Sequence, residues 1–138
     1  MKALDLLVIA LALPLLSGCS SVSARKVVAL ERFQRIYVEQ RTNDNHRLDE
    51  LIVAELKRHG RDASSGPLTM MPDDTQAVVT YDARWEWDFK TYLIELNLEM
   101  FAAHPRKKVA DGRYYQPSIK TKTAAEAVRE ILTALFGK

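Results

Sequence analysis

Between Ala77 and Phe101 the chain alternates apolar and polar residues in two runs separated by a short break. Val79, Tyr81, Ala83, Trp85 and Trp87 fall in one phase of the first run, and Thr80, Asp82, Arg84, Glu86 and Asp88 in the other. In the second run Tyr92, Ile94, Leu96, Leu98 and Met100 alternate with Glu95, Asn97 and Glu99. A period of two sends successive side chains to opposite faces of a strand. The pattern therefore calls for an antiparallel hairpin with one covered face and one wet face. Centring the turn between Phe89 and Lys90 pairs Trp87 with Tyr92, Trp85 with Ile94, Ala83 with Leu96, Tyr81 with Leu98 and Val79 with Met100. Arg84 then faces Glu95 on the wet side, and a slip of one residue would force Glu95 into the core. Trp85 and Trp87 are expected inside by phase, Trp87 less completely because it adjoins the turn.

Other elements must cover that hairpin. Phe33 to Gln40 reads as a strand, with Ile36 and Val38 alternating against Tyr37 and Glu39. Arg41 to His46 is a polar turn in which Asn45 is the expected helix cap. Leu48, Leu51, Ile52 and Leu56 then recur at helical spacing, with Asp49 and Glu50 in the first turn and Lys57-Arg58-His59-Gly60 at the end, as the helix dipole prefers. Arg61 to Gln76 reads as a long irregular link, the kind of loop that tends to carry function. Lys107 to Tyr115 is a further strand whose phase Gly112 leaves open. Thr123-Ala124-Ala125-Glu126 is a capping box, followed by Val128, Ile131 and Leu135 on one side of a helix that stops at Gly137.

This order, β-α-β-β-β-α, predicts an α+β two-layer sandwich: a four-stranded, largely antiparallel sheet with two helices on one face and the other face open. It occupies residues 31–138 as a single domain. Residues 1–18 form a signal peptide, with Lys2 as the positive start and an apolar region from Leu6 to Leu16. That region is shorter than the roughly 20 residues needed to span a bilayer. Residues 19–30 form a lipidated linker, with Ser20 to Lys26 a polar leash. Arg25, Lys26 and Arg32 are solvated there or touch anionic headgroups.

Leu16-Ser17-Gly18-Cys19 resembles the lipobox of bacterial lipoproteins, and Cys19 is the chain's one cysteine. The resemblance implies cleavage before Cys19, acylation of its sulfur and new amino terminus, and a membrane anchor. Several acyl chains hold a protein firmly where one does not. Ser20, where inner-membrane lipoproteins carry aspartate, implies the periplasmic face of the outer membrane in a Gram-negative cell. The element order is also similar to small outer-membrane lipoproteins such as the lipopolysaccharide-assembly lipoprotein, and no binding residue is carried over from them.

A net charge of +2 argues against nucleic acid as a partner. His46, His59 and His104 lack the spacing of a shared metal site, and no phosphate loop or nucleophile elbow is present. No cofactor is expected. Asp73-Asp74 reads as a solvated turn. Asp82, Glu86, Glu95 and Glu99 share one strand face, so a small envelope-glycan hydrolase is the alternative to a non-enzymatic binding or scaffolding module. The module reading places its protein-partner surface at an exposed strand edge or the 61–76 segment, with Arg61, Asp73, Asp74, Arg84, Glu86 and Glu95 as candidates.

Overall fold

A computed structural model describes residues 20–117 and 122–137. The expected signal segment and Cys19, the expected acylation site, lie outside the described residues. Six strands and two helices are present: β1 (Ser21–Lys26), β2 (Arg35–Glu39), α1 (Leu48–Arg58), β3 (Asp62–Gly66), β4 (Ala77–Trp87), β5 (Thr91–Ala103), β6 (Arg106–Tyr115) and α2 (Ala124–Phe136). They form one mixed sheet in the order β1-β6-β5-β4-β2-β3. The class is α+β, but the expected four-stranded sheet is wrong by two strands.

Both additional strands come from polar segments. The expected leash pairs antiparallel with β6, Ser21 opposite Tyr115 and Lys26 opposite Ala110. All six of its residues are exposed, so no apolar alternation marks it. Backbone hydrogen bonds and the Arg25–Asp111 ion pair at 2.8 Å hold it in place. The first half of the expected 61–76 loop is β3, which runs parallel to β2 with Arg35 opposite Asp62 and Glu39 opposite Gly66. Its sequence, DASSG, carries little strand propensity. The crossover from β2 through α1 delivers it to that edge. From Gly66 the chain returns over the second face of the sheet to start β4 on the other side of β2. Tyr37 donates its hydroxyl to the Pro67 carbonyl at 2.8 Å, and Arg35 Nε donates to the Asp74 carbonyl at 3.0 Å. Tyr37 and Val78 are buried beneath this crossing. The second face is thus covered over β2, contrary to the open face expected.

On the first face α1 and α2 pack against each other and the sheet. Leu48, Ile52 and Leu56 from α1 meet Val128, Ile131, Leu132 and Leu135 from α2 in one core with Ile36, Val38, Val79, Leu96 and Leu98. The capping box forms as read: Thr123 Oγ1 accepts from the Glu126 amide at 3.2 Å, and Glu126 Oε2 accepts from the Thr123 amide at 2.7 Å. Gly112 marks the tightest approach, since a Cβ there would lie 2.4 Å from Ile131 Cγ2.

The hairpin register holds from Val79 opposite Met100 to Arg84 opposite Glu95. Beyond that it shifts, placing Trp85 opposite Leu93 and Trp87 opposite Thr91. The turn is a three-residue loop, Asp88 to Lys90, with Phe89 left-handed at φ 58°. Such a loop joins the strands one residue out of step with the pairing below, and the extra residue, Ile94, is absorbed as a bulge. Leu93 therefore enters the core in place of Ile94, which is buried outside the main cluster.

Candidate binding surfaces

At the carboxyl end of β2 the chain turns into α1 through Gln40 to Arg47, beside the upper part of β4. Open sheets with parallel strands tend to bind ligands at this kind of end. Asp44 organises it. Its carboxylate accepts the Tyr81 hydroxyl at 2.7 Å, the Leu48 amide at 2.7 Å and the His46 amide at 2.9 Å. Burial pushes this carboxyl upward, but Tyr81 and the amides of His46, Leu48 and Asp49 outweigh it and hold it below its ordinary value. Burial first, and then the Asp44 charge, push the Tyr81 phenol up. Asp44, not Asn45, therefore satisfies the first amide of α1, while Arg47 adopts a left-handed conformation at φ 55°. Arg41 completes the wall, reaching the Tyr81 carbonyl and the Asp82 carboxylate, each at 3.1 Å. The His46 ring stacks on Trp85, centroids 3.7 Å apart.

The crevice between these groups holds about 150 Å³, less than the 300 Å³ or so at which small-molecule sites begin. It opens on a groove of about 490 Å³ beside Glu39, Arg41 and Thr80, whose lining is mostly polar. Ligand pockets are mostly apolar. Asp44, Tyr81 and Arg41 spend their hydrogen bonds on fixing the loop, so this end is a rigid surface.

The six candidate partner residues do not converge. Arg61 lies at the far end of α1, its guanidinium 5.0 Å from the Phe136 ring. Asp74 is on the opposite face and pairs with Arg35 at 3.2 Å, next to exposed Asp73. Arg84 and Glu95 do meet, at 3.4 Å, and Glu95 also takes Arg113 at 3.0 Å. Glu86 is exposed farther along β4.

On the acidic face, Asp82, Glu95 and Glu99 are drawn into ion pairs and Glu86 is exposed. Hydrogen bonds from Arg113 and Asn97 hold the Glu95 carboxyl below its ordinary value, whereas the acid of a glycosidase needs a raised one. Asp82 pairs with Arg41, and Glu99 with Lys108 at 2.9 Å. Among the described residues, no group of three or more His, Cys, Asp or Glu side chains is placed to hold a metal ion.

Two surfaces stand out instead. Among the described residues nothing pairs with the outer side of β3, and unpaired strand edges are templates for another chain. Leu68 and Met70, 41% and 73% exposed, follow it directly. At the tip of the β4–β5 hairpin, Trp87 and Phe89 are 70% and 93% exposed, so Trp87 is not the core residue its phase implies. Reading the sequence missed Asp44, His46 and Tyr81 as one unit. The available signal was Asp44 four residues before the first apolar residue of α1.

No protein-family model and no curated protein sequence matches the chain. Solved structures do. A single-substitution variant of the PelC dodecamer from Paraburkholderia phytofirmans is 14% identical, with a TM-score of 0.65 over 83% of this chain and 98% of that one. A second PelC dodecamer structure from the same organism is 13% identical, with a TM-score of 0.65 over 87% and 99%. TolB from Acinetobacter baumannii is 17% identical, with a TM-score of 0.50 over 85% of this chain but only 32% of TolB. What is shared is the fold.

Proposed function

We propose that this chain is a non-enzymatic binding or scaffolding lipoprotein, held through acylated Cys19 at the periplasmic face of the outer membrane. It engages a protein partner along the β3 edge. The observation that carries the reading is that edge itself: a parallel strand with its outer side unpaired, followed by exposed Leu68 and Met70. An added strand gains backbone hydrogen bonds, and exposed Leu68 and Met70, at the start of the crossing back over β2, extend the apolar surface that a partner can cover. PelC matches over almost its whole length and is a dodecamer, which makes a second copy of this chain the first partner to test. Asp82, Glu95 and Glu99 of the second face are spent on ion pairs, which supports a non-catalytic role.

Crosslinking in intact cells tests this. The native chain should yield a discrete adduct, and Leu68→Lys with Met70→Glu should remove it without altering the thermal transition. Asp82→Asn, Glu86→Gln, Glu95→Gln and Glu99→Gln, each singly, should leave adduct and activity intact. Loss of activity from one of these amide swaps in a folded protein would return the hydrolase reading.

A further inference from the structure

The hairpin tip has no structural task within the domain. Beyond Trp85, stacked on His46, and buried Leu93, whose carbonyl accepts from the Gln116 side chain, residues 86–92 of β4 and β5 run past their neighbours. The pairing of β2 with β4 stops at Val79, and that of β6 with β5 stops at Glu95. A two-stranded arm therefore projects from the sheet and ends in Trp87 and Phe89, rings 6.1 Å apart. Asp88 and Lys90 flank Phe89 and are exposed.

The direction of the arm is informative. β1 starts at Ser21, opposite Tyr115, and Tyr115 is opposite Glu95. The amino terminus thus leaves the sheet at the end from which the arm projects. Two strand spacings, about 10 Å, separate β1 from β5. Cys19 is two residue steps from Ser21, a reach of at most about 7 Å. Phe89 lies five residues beyond Arg84, which is level with Glu95, so at about 3.3 Å per residue it stands about 16 Å beyond that level. With that link fully extended, the tip stands about 9 Å past the level of the anchor, at the upper end of the 5–10 Å to which interfacial apolar groups enter a bilayer.

We propose that the β4–β5 arm is a second membrane contact, seating Trp87 and Phe89 at the headgroup–acyl boundary of the bilayer that holds acylated Cys19. The proposal rests on the acylation reading of Cys19. Aromatic rings favour that boundary, the Lys90 ammonium meets lipid phosphates there, and Asp88 keeps the tip from sinking into hydrocarbon. One fixed anchor and one rigid arm would hold the sheet upright on the membrane and leave the β3 edge, at the far side of the sheet, free.

The test uses the full acylated chain with Trp85→Phe, so that Trp87 is its one tryptophan. It is reconstituted into phosphatidylethanolamine–phosphatidylglycerol vesicles, with and without brominated acyl chains, and intact mass reports the lipid on Cys19. The expected result is a lipidated chain whose emission falls about twofold with brominated lipid, as for an interfacial ring. A lipidated chain without quenching overturns the arm. A mass without lipid refutes the acylation reading alone. The arm is then judged by adding the Cys19→Ser chain to the same vesicles, where Trp87→Ala with Phe89→Ala should weaken binding at least about tenfold. No effect of that pair overturns it. Trp87 shielded from acrylamide by chain–chain contact, without lipid quenching, would make the arm an interface between copies and also overturn it.

Discussion

The lower and upper halves of the β4–β5 hairpin carry the same alternation and meet opposite fates. In the lower half Val79 and Tyr81 lie beneath the helices with Leu96, Leu98 and Met100. In the upper half Trp85 is half-buried against His46, and Trp87 stands in solvent. Periodicity decides which side chains share a face. Whether that face is covered depends on how far the flanking elements reach, and β2 and β6 stop short of the arm.

The comparison breaks most readily through stability. Leu96→Ala in the lower half should cost about 2–5 kcal/mol in urea unfolding, as deletions from a closed core do. Trp87→Ala should change stability by no more than about 0.5 kcal/mol despite removing a larger side chain. Equal losses would mean that the arm is covered in solution.

Next in size is the loop that fixes the junction between the halves. Asp44→Ala should cost about 0.5–2 kcal/mol through the lost cap of α1. The folded-state value of Asp44 lies below its ordinary 3.8. Its contribution is therefore full above that pH and lost as pH falls through the folded value. The stability gap between the native chain and Asp44→Asn should be constant near neutrality and close in acid. A gap that widened in acid would reverse the assignment.

The smallest effect sits at the last pair before the register shift. A double-mutant cycle on Arg84 and Glu95 should give a coupling of about 0.2–1 kcal/mol, reduced by salt. Zero coupling at low salt would place the bulge below this pair.

The parts legible in sequence are those where an apolar stripe specifies its own position. The stripe of α1, the capping box at Thr123 and the pairing from Val79 to Arg84 are of this kind. Strands β1 and β3 escaped because SVSARK has no buried residue and DASSG has only Ala63, too little to impose a period. Their pairing is decided by free backbone groups on β6 and β2, which no local pattern reports. The shift above Arg84 escaped because it depends on the left-handed Phe89, a residue that seldom adopts that conformation. The six candidate partner residues were grouped by charge and exposure, and folding distributed them over two faces and both ends.

The central claim, a working edge at β3, is tested most directly by a photo-crosslinking amino acid placed in living cells at Met70, and separately at Asn97 on the middle of the sheet. The account predicts a discrete adduct from position 70 and none from position 97. Adducts from position 97 with none from position 70 would move the binding surface to the sheet face and contradict it.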